Sequence, residues 1–205
     1  MYVTGEVALA RRTRADMLEE TRAKLIAAGR RAFAEKGFAE ASMDELTAGV
    51  GLTRGALYHH FGDKKGLLAA VVEVVDNEMA ARASERVRQQ APASDWEALV
   101  AEGLTYIELA LDPEIQRIVL KDGPAYLGDP SQWPSQNGCL MRTIAVLTDL
   151  IERGLVKPVD AEAAARLING AALDAALWVA ASDDPQAALP RAQQALTHVL
   201  SGFRV

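Results

Sequence analysis

LTRGALYHHFGDKKGLL, residues 52–68, decides how the rest of the chain is read. It crowds Thr53, Arg54, Gly55, Tyr58, His59 and His60 into one short segment, halts at Gly62 and restarts at Asp63-Lys64-Lys65. Thr53 is placed to cap a helix of about residues 54–60. Leu52, Ala56, Leu57 and Phe61 form its apolar side, which leaves Arg54, Tyr58 and His59 facing outward. Just upstream, Ser42-Met43-Asp44-Glu45 reads as a capping box. Ser42 accepts from the third helical amide and Glu45 reaches back, opening a helix to about Val50. Gly49 then falls inside that helix, at a cost of about 0.5–1 kcal/mol. Gly51 is the turn, and Leu52 plugs it. Further upstream, Leu18, Leu25, Ala28, Ala32 and Phe33 recur at spacings near three and four, which predicts one amphipathic helix over 15–36. Gly37 is its C-terminal stop, and Phe38 folds back on it. Two short helices joined by a glycine turn and braced by a longer one make a helix-turn-helix.

A short helix with polar side chains on its outer face is shaped for the major groove of duplex DNA. Thr53 and Arg54 stand at its N-terminal end, where side chains meet base edges, and an arginine pairs bidentately with guanine. Gly55 admits close backbone approach. Tyr58 and His59, one turn on, reach phosphate. Lys64, in the first turn of the next helix, adds its charge to free amides and the positive dipole end, a phosphate site.

The whole chain of 205 residues is acidic, with a net charge of −6. The sign is unevenly distributed. Residues 1–70 hold 11 Lys and Arg against 9 Asp and Glu, and residues 71–205 hold 11 against 19. The excess of positive charge is thus confined to the N-terminal third. Residues 1–14 end in Arg11-Arg12-Thr13-Arg14 and read as a tail or as a basic arm. No run of about 20 uncharged apolar residues predicts a membrane span. The arginines near the start arrive too early for a secretory signal. One cysteine, Cys139, excludes an internal disulfide framework and fits a reducing cytoplasm.

Downstream the chain reads as helix throughout. A helix begins after Asp63 and runs to about Gln90, with Leu67, Leu68, Val71, Val72, Val75 and Met79 as its stripe. Others cover about 96–111 and 113–121. Residues 122–138 hold three prolines and three glycines and read as an irregular connection. Further helices cover about 138–153, 160–181 and 185–201, with Pro190 kinking the last or marking its true start. The expectation is an all-α chain of about nine helices.

The run FAEKGFAEASMDELTAGVGLTRGALYHHFGDKKGLL, residues 33–68, resembles the N-terminal DNA-binding domain of the tetracycline-repressor family. The specific likeness covers roughly residues 22–72. PEIQRIVLKDGPAYLG, residues 113–128, carries a weaker likeness to one C-terminal subgroup of these regulators. The resemblance implies a dimer with a DNA-binding domain over 1–62 and a helical effector-binding and dimerisation domain over 63–205. It implies that Thr53, Arg54, Gly55, Tyr58 and His59 form the recognition helix, that Lys64 binds phosphate, and that Ser42 and Thr47 lie near the helix over the backbone. Gly49 and Val50 depart from the family pattern.

Tyr106, Tyr126, Trp133, Cys139 and Trp178 each read as core residues taken singly. Together, where the resemblance implies an effector cavity, they form an apolar pocket with Asp122 and Arg142 as the charges that orient a ligand. The last two helices carry more apolar width than one core needs. Leu167, Ala171 and Trp178, with Leu189, Leu196, Val199 and Leu200, read as a dimer interface in which two helices from each subunit form a four-helix bundle. Adjacent His59 and His60 point about 100° apart, which argues against a metal site. No nucleophile and base with an orienting partner is present, so an enzyme is not expected and no cofactor is implied. The expected function is a ligand-responsive, cytoplasmic transcriptional regulator, most simply a repressor, with a duplex DNA operator and an unidentified small-molecule effector as partners. The alternative is a helical small-molecule-binding dimer without a DNA function.

Overall fold

The computed structural model describes residues 13–205, and Arg11 and Arg12 of the expected basic arm lie outside them. Helix α1 spans Arg14–Glu40 and opens on a capping box. Asp16 N donates to Thr13 Oγ1 at 3.1 Å and Thr13 N donates to Asp16 Oδ2 at 2.9 Å. Leu25, Ile26, Ala28 and Phe33 are its buried face. At Gly37 the backbone turns to φ +80°, a conformation open mainly to glycine, and Phe38 swings back to meet Phe33 with ring centroids 5.7 Å apart.

Helix α2, Met43–Ala48, is shorter than the sequence pattern suggests. The expected capping box at Ser42 is replaced by a single cap: Ser42 Oγ accepts from Asp44 N at 3.3 Å. Glu45 does not reach back; it pairs with Lys36 Nζ at 2.7 Å. Gly49 is the C-cap and not an interior residue, so the expected helix-interior cost does not apply. Gly51, at φ +67°, turns the chain, and Leu52 N donates to Thr47 O at 2.9 Å to close the turn. Helix α3, Arg54–Phe61, follows, capped by Thr53 Oγ1 on Ala56 N at 3.2 Å.

Helix α4, Lys64–Gln90, has 27 residues and extends about 40 Å at 1.5 Å per residue. It leaves the three-helix head and forms one wall of the remaining bundle. Helix α5 is Asp95–Glu108, followed by a 3₁₀ turn. A continuous helical run opens as α6, Pro113–Ile115, widens into π-helical turns over Gln116–Asp122 and ends as α7, Gly123–Leu127. Helices α8, Pro134–Glu152, α9, Ala161–Ala181, and α10, Pro185–Ser201, complete the bundle. With the run over 113–127 taken as one, the described residues form nine helices, as the sequence pattern implies. Helix α8 starts four residues before its expected position because Pro134 occupies the first helical turn, a position that proline favours. Helix α10 runs through Pro190 and starts at Pro185, capped by Asp184 Oδ1 on Ala187 N at 3.0 Å.

One apolar cluster runs unbroken from Leu25 in α1 to Leu200 in α10. Helix α9 has the length and hydropathy of a membrane-spanning segment, although Arg166 and Asp174 interrupt its apolar run. Its Ala164, Ala165, Ile168, Ala172, Ala176 and Val179 are buried within the bundle. The head's own core centres on fully buried Leu57. Leu57→Ala removes this contact and is expected to destabilise by about 2–5 kcal/mol. A urea melt followed by circular dichroism checks it, and a loss under about 1 kcal/mol contradicts it.

Candidate nucleic-acid interface and internal cavity

Capping and turn geometry fix the direction of α3. Leu57 points into the head, and Thr53, Arg54, Gly55, Tyr58 and His59 are all exposed on the other side. The five residues singled out in sequence thus share one outward surface. Arg54 is not free on it. Its Nε donates to Asp44 Oδ1 and its Nη2 to Asp44 Oδ2, a two-point pair between the first turns of α2 and α3. The Arg54 hydrogen bond holds the Asp44 carboxyl below its ordinary range. Ser42 is occupied by its cap, and Thr47 is buried, its hydroxyl donating to Met43 O at 3.0 Å. Lys64 is half-buried: its Nζ donates to Ala39 O at 3.1 Å and sits 4.6 Å from the Phe38 ring centroid. His60 is half-buried beside Phe61, with ring centroids 6.0 Å apart.

A second set of contacts joins α1 to the 113–127 run. Arg30 Nε and Nη2 donate to the two carboxylate oxygens of Glu114, each at 2.7 Å, and Nη1 donates to Glu78 Oε1 at 3.0 Å. The hydrogen bonds that Arg30 donates to Glu114 are the main cause of its raised pKa. Asp122 Oδ2 accepts from Phe38 N at 2.7 Å, immediately after the Gly37 kink, and Arg117 Nη2 donates to Lys36 O at 3.1 Å. Tyr126 meets the Phe38 ring with centroids 4.3 Å apart. Sequence reasoning missed this clasp because its partners are 84 positions apart. No local spacing signals such a pair.

The bundle holds a cavity of about 500 Å³ between α4, α5, α8, α9 and α10. Ala83, Leu99, Val146, Ile168, Ala172, Leu196 and Leu200 make its apolar wall. Of the seven residues proposed from sequence, Tyr106, Cys139 and Arg142 line it. Asp122 and Tyr126 belong to the clasp, Trp133 lies beside His60 and Phe61 under the head, and Trp178 is exposed with Arg191 5.3 Å above its ring. Sequence reasoning missed Glu102, Gln136, Thr143 and Asn169, which supply polar lining. Glu102 and Tyr106 are one turn apart on α5, so this pairing was available from helical spacing.

Gln136 links the cavity wall to a buried polar cluster behind it. Gln136 Nε2 donates to Asp76 Oδ2 at 2.8 Å, and Ser135 Oγ stands beside that carboxyl without a hydrogen bond of ordinary geometry. Burial pushes the Asp76 carboxyl up, opposed by Ser135 and Gln136. Burial also raises the Tyr106 phenol and the Cys139 thiol. The Tyr106 hydroxyl is buried beside Gln136 without a hydrogen bond of ordinary geometry.

The residues proposed for subunit pairing divide between two faces. Leu167 and Val199 are 68% and 56% exposed, and Trp178 is exposed as well. Ala171 and Leu189 are half-buried. Leu196 and Leu200 point into the bundle, where both line the cavity.

A helix-turn-helix head, joined through one long helix to a bundle with a half-open cavity, defines a two-part DNA-binding regulator. Residues 96–203 match the tetracyclin repressor-like C-terminal domain, and residues 25–71 match the bacterial regulatory proteins of the tetR family. A TetR-family transcriptional regulator from Pectobacterium atrosepticum of known crystal structure is 48% identical, with a TM-score of 0.84, covering 95% of this chain and 98% of that one. The HTH-type transcriptional regulator TtgR of Pseudomonas putida is 34% identical over 112 residues, 54% of this chain and 52% of TtgR. The match thus spans about half the length of that relative. SmeT, the repressor of the Stenotrophomonas maltophilia multidrug efflux pump SmeDEF, shares the fold at 23% identity and a TM-score of 0.65, with 92% of each chain covered. The chain belongs to the tetracycline-repressor family of transcriptional regulators.

Asp76 generates a pH prediction. Its folded pKa is raised, so the folded state holds this proton more tightly than the unfolded one. Its ionisation therefore costs stability above the raised value, and that cost fades as pH falls toward the ordinary carboxyl range. Asp76→Asn keeps an acceptor for Gln136 and removes the charge. It is expected to melt above wild type at about pH 7, with the gap narrowing toward about pH 4. Thermal melts across that range check it; an Asn variant that melts lower at neutral pH contradicts it.

Proposed function

We infer that the protein is a ligand-responsive transcriptional regulator of the cytoplasm, a repressor that grips a palindromic operator as a dimer and is released by a small molecule. The observation that carries this reading is the outward face of α3, where Thr53, Arg54, Gly55, Tyr58 and His59 share one exposed surface on a rigidly cored head. Such a helix reads base edges with its N-terminal residues, and Tyr58 and Lys64 supply phosphate contacts. Lys64 exchanges its bond to Ala39 O for a phosphate oxygen, a short swing for a flexible stem.

The exposed Leu167 and Trp178 on α9 and Val199 on α10, with half-buried Ala171 in the same α9 stripe, support pairing of two subunits through these helices. A twofold pair then sets two recognition helices about 34–36 Å apart, on successive major grooves. The cavity accommodates a compact, largely apolar effector, with Tyr106, Cys139, Gln136 and Asn169 as polar handles. The Tyr106 hydroxyl, which has no well-formed hydrogen bond, favours an effector that brings a hydrogen-bonding group to it.

Two routes lead from cavity to head. Helix α4 carries Ala83 and Ser84 in the cavity wall and Lys64 beside the DNA face. The clasp ties α1 to the 113–127 run, which follows directly after the cavity helix α5. An effector loosens the protein from DNA only if it binds the released geometry more tightly.

Two measurements test this reading. Lys64→Ala is expected to weaken binding to operator and scrambled duplexes alike, and to reduce the log–log salt slope by about 0.9. Gel shifts over a salt series give that slope, and an unchanged value removes Lys64 from the interface. Val199→Glu places a charge on the pairing stripe and is expected to yield monomers that lose operator binding by tenfold or more. Analytical ultracentrifugation decides, and an intact dimer rejects the α9–α10 interface.

A further inference from the structure

We propose that Asp44 is a specificity-determining positioning residue, which grips one edge of the Arg54 guanidinium and aims the other at a guanine. The inference rests on the DNA-binding reading above and goes beyond it to a residue that does not itself touch a base.

A guanidinium carries five N–H groups in a rigid plane, and the ones already taken decide what the rest can read. Asp44 accepts from Nε and Nη2 and so occupies the side edge of that plane. Both hydrogens of Nη1 and one of Nη2 remain. One hydrogen from each of these two nitrogens forms the end-on fork, whose two N–H groups are parallel. That fork matches the O6 and N7 acceptors of guanine in the major groove. The ion pair therefore leaves open the edge that reads the base.

The pair is anchored at both ends by short-range structure. Asp44 is the second residue of α2, and its amide donates to Ser42 Oγ at 3.3 Å. Arg54 is the first residue of α3, directly after the Thr53 cap. The turn through Gly51 brings the two helix starts together. Leu52 N, bonded to Thr47 O at 2.9 Å, sets their spacing.

Stability is a poor explanation for the pair. The two side chains are 58% and 63% exposed, and exposed ion pairs contribute little to folding. Glu45 already supplies a second acidic residue to the first turn of α2, so the helix dipole does not depend on Asp44 alone. What the contact does change is Arg54. It restricts a long, mobile side chain before DNA arrives, so less freedom is lost on binding. It also offsets the arginine's charge, which weakens its attraction to phosphates flanking the base. Asp44 thus acts against indiscriminate binding as well as for one base, the two halves of specificity.

The test uses full-length protein and an operator selected from random duplexes by the wild type. Arg54→Ala first identifies the guanine whose replacement by adenine no longer matters to the variant. Wild type is expected to prefer guanine there by about ten- to hundred-fold, the range for a good bidentate contact. Asp44→Asn and Asp44→Ala are expected to lose most of that preference while binding scrambled duplex as tightly as wild type or more so. In an Arg54→Ala background the same changes at Asp44 are expected to leave base preference flat, since the effect passes through Arg54. Glu45→Gln serves as the control for charge in the same helix turn and is expected to keep the preference. Circular dichroism melts exclude unfolding, and the isosteric Asp44→Asn serves where Asp44→Ala does not fold. The proposal is overturned if Asp44 variants keep the guanine preference, if they tighten operator and scrambled duplex equally, or if no position depends on Arg54. Failure of the wild type to select any duplex sinks the DNA-binding reading instead, and is seen before any variant is made.

Discussion

Beside the shared apolar core, the bond between Arg30 and Glu114 ties the head to the bundle. Both carboxylate oxygens of Glu114 are engaged at 2.7 Å, and the third arm of the guanidinium reaches Glu78 on α4. One arginine on α1 therefore ties together the long helix and the run that follows the cavity helix. A planar fork on a planar carboxylate constrains angle as well as distance, which a lysine does not do. Asp122 adds a second point by accepting the Phe38 amide just beyond the Gly37 kink, where a backbone donor would otherwise lose its helical partner. The π-helical turns over Gln116–Asp122 lie between these two anchors, and wide turns of this kind often mark functional segments.

Most of the fold is legible in the chain because its signals are local. The signals at Thr53 and Asp63 each announce a helix within three residues, and both capping bonds are present. The boundaries of α2 and α8 depart from the sequence pattern for local reasons too. Glu45 has a competing partner in Lys36, nine residues away and invisible to a capping rule, and Pro134 opens a helix where it reads as loop punctuation. The recognition face is readable because a helix of eight residues has only one buried side, marked by Leu57.

The cavity is harder to read, since its wall is assembled from five helices with no shared period. Aromatic content points to Tyr126, Trp133 and Trp178, yet large rings also serve where chain segments are pinned together. Tyr126 does this against Phe38 and Trp133 does it under the head. The residues that actually open the space are small ones such as Ala80, Ala83, Ala98 and Gly103. Small side chains carry no sequence signal for a void, because they suit close helix packing equally well.

Periodicity alone assigns Leu196 and Leu200 to subunit pairing, whereas both face inward. Their helix still carries exposed Val199, about 80° round the helix from them. In the proposed dimer α10 thus borders both the effector cavity and the sister subunit. An effector that displaces this helix is then felt by the partner, and a Hill coefficient different from one reads that coupling.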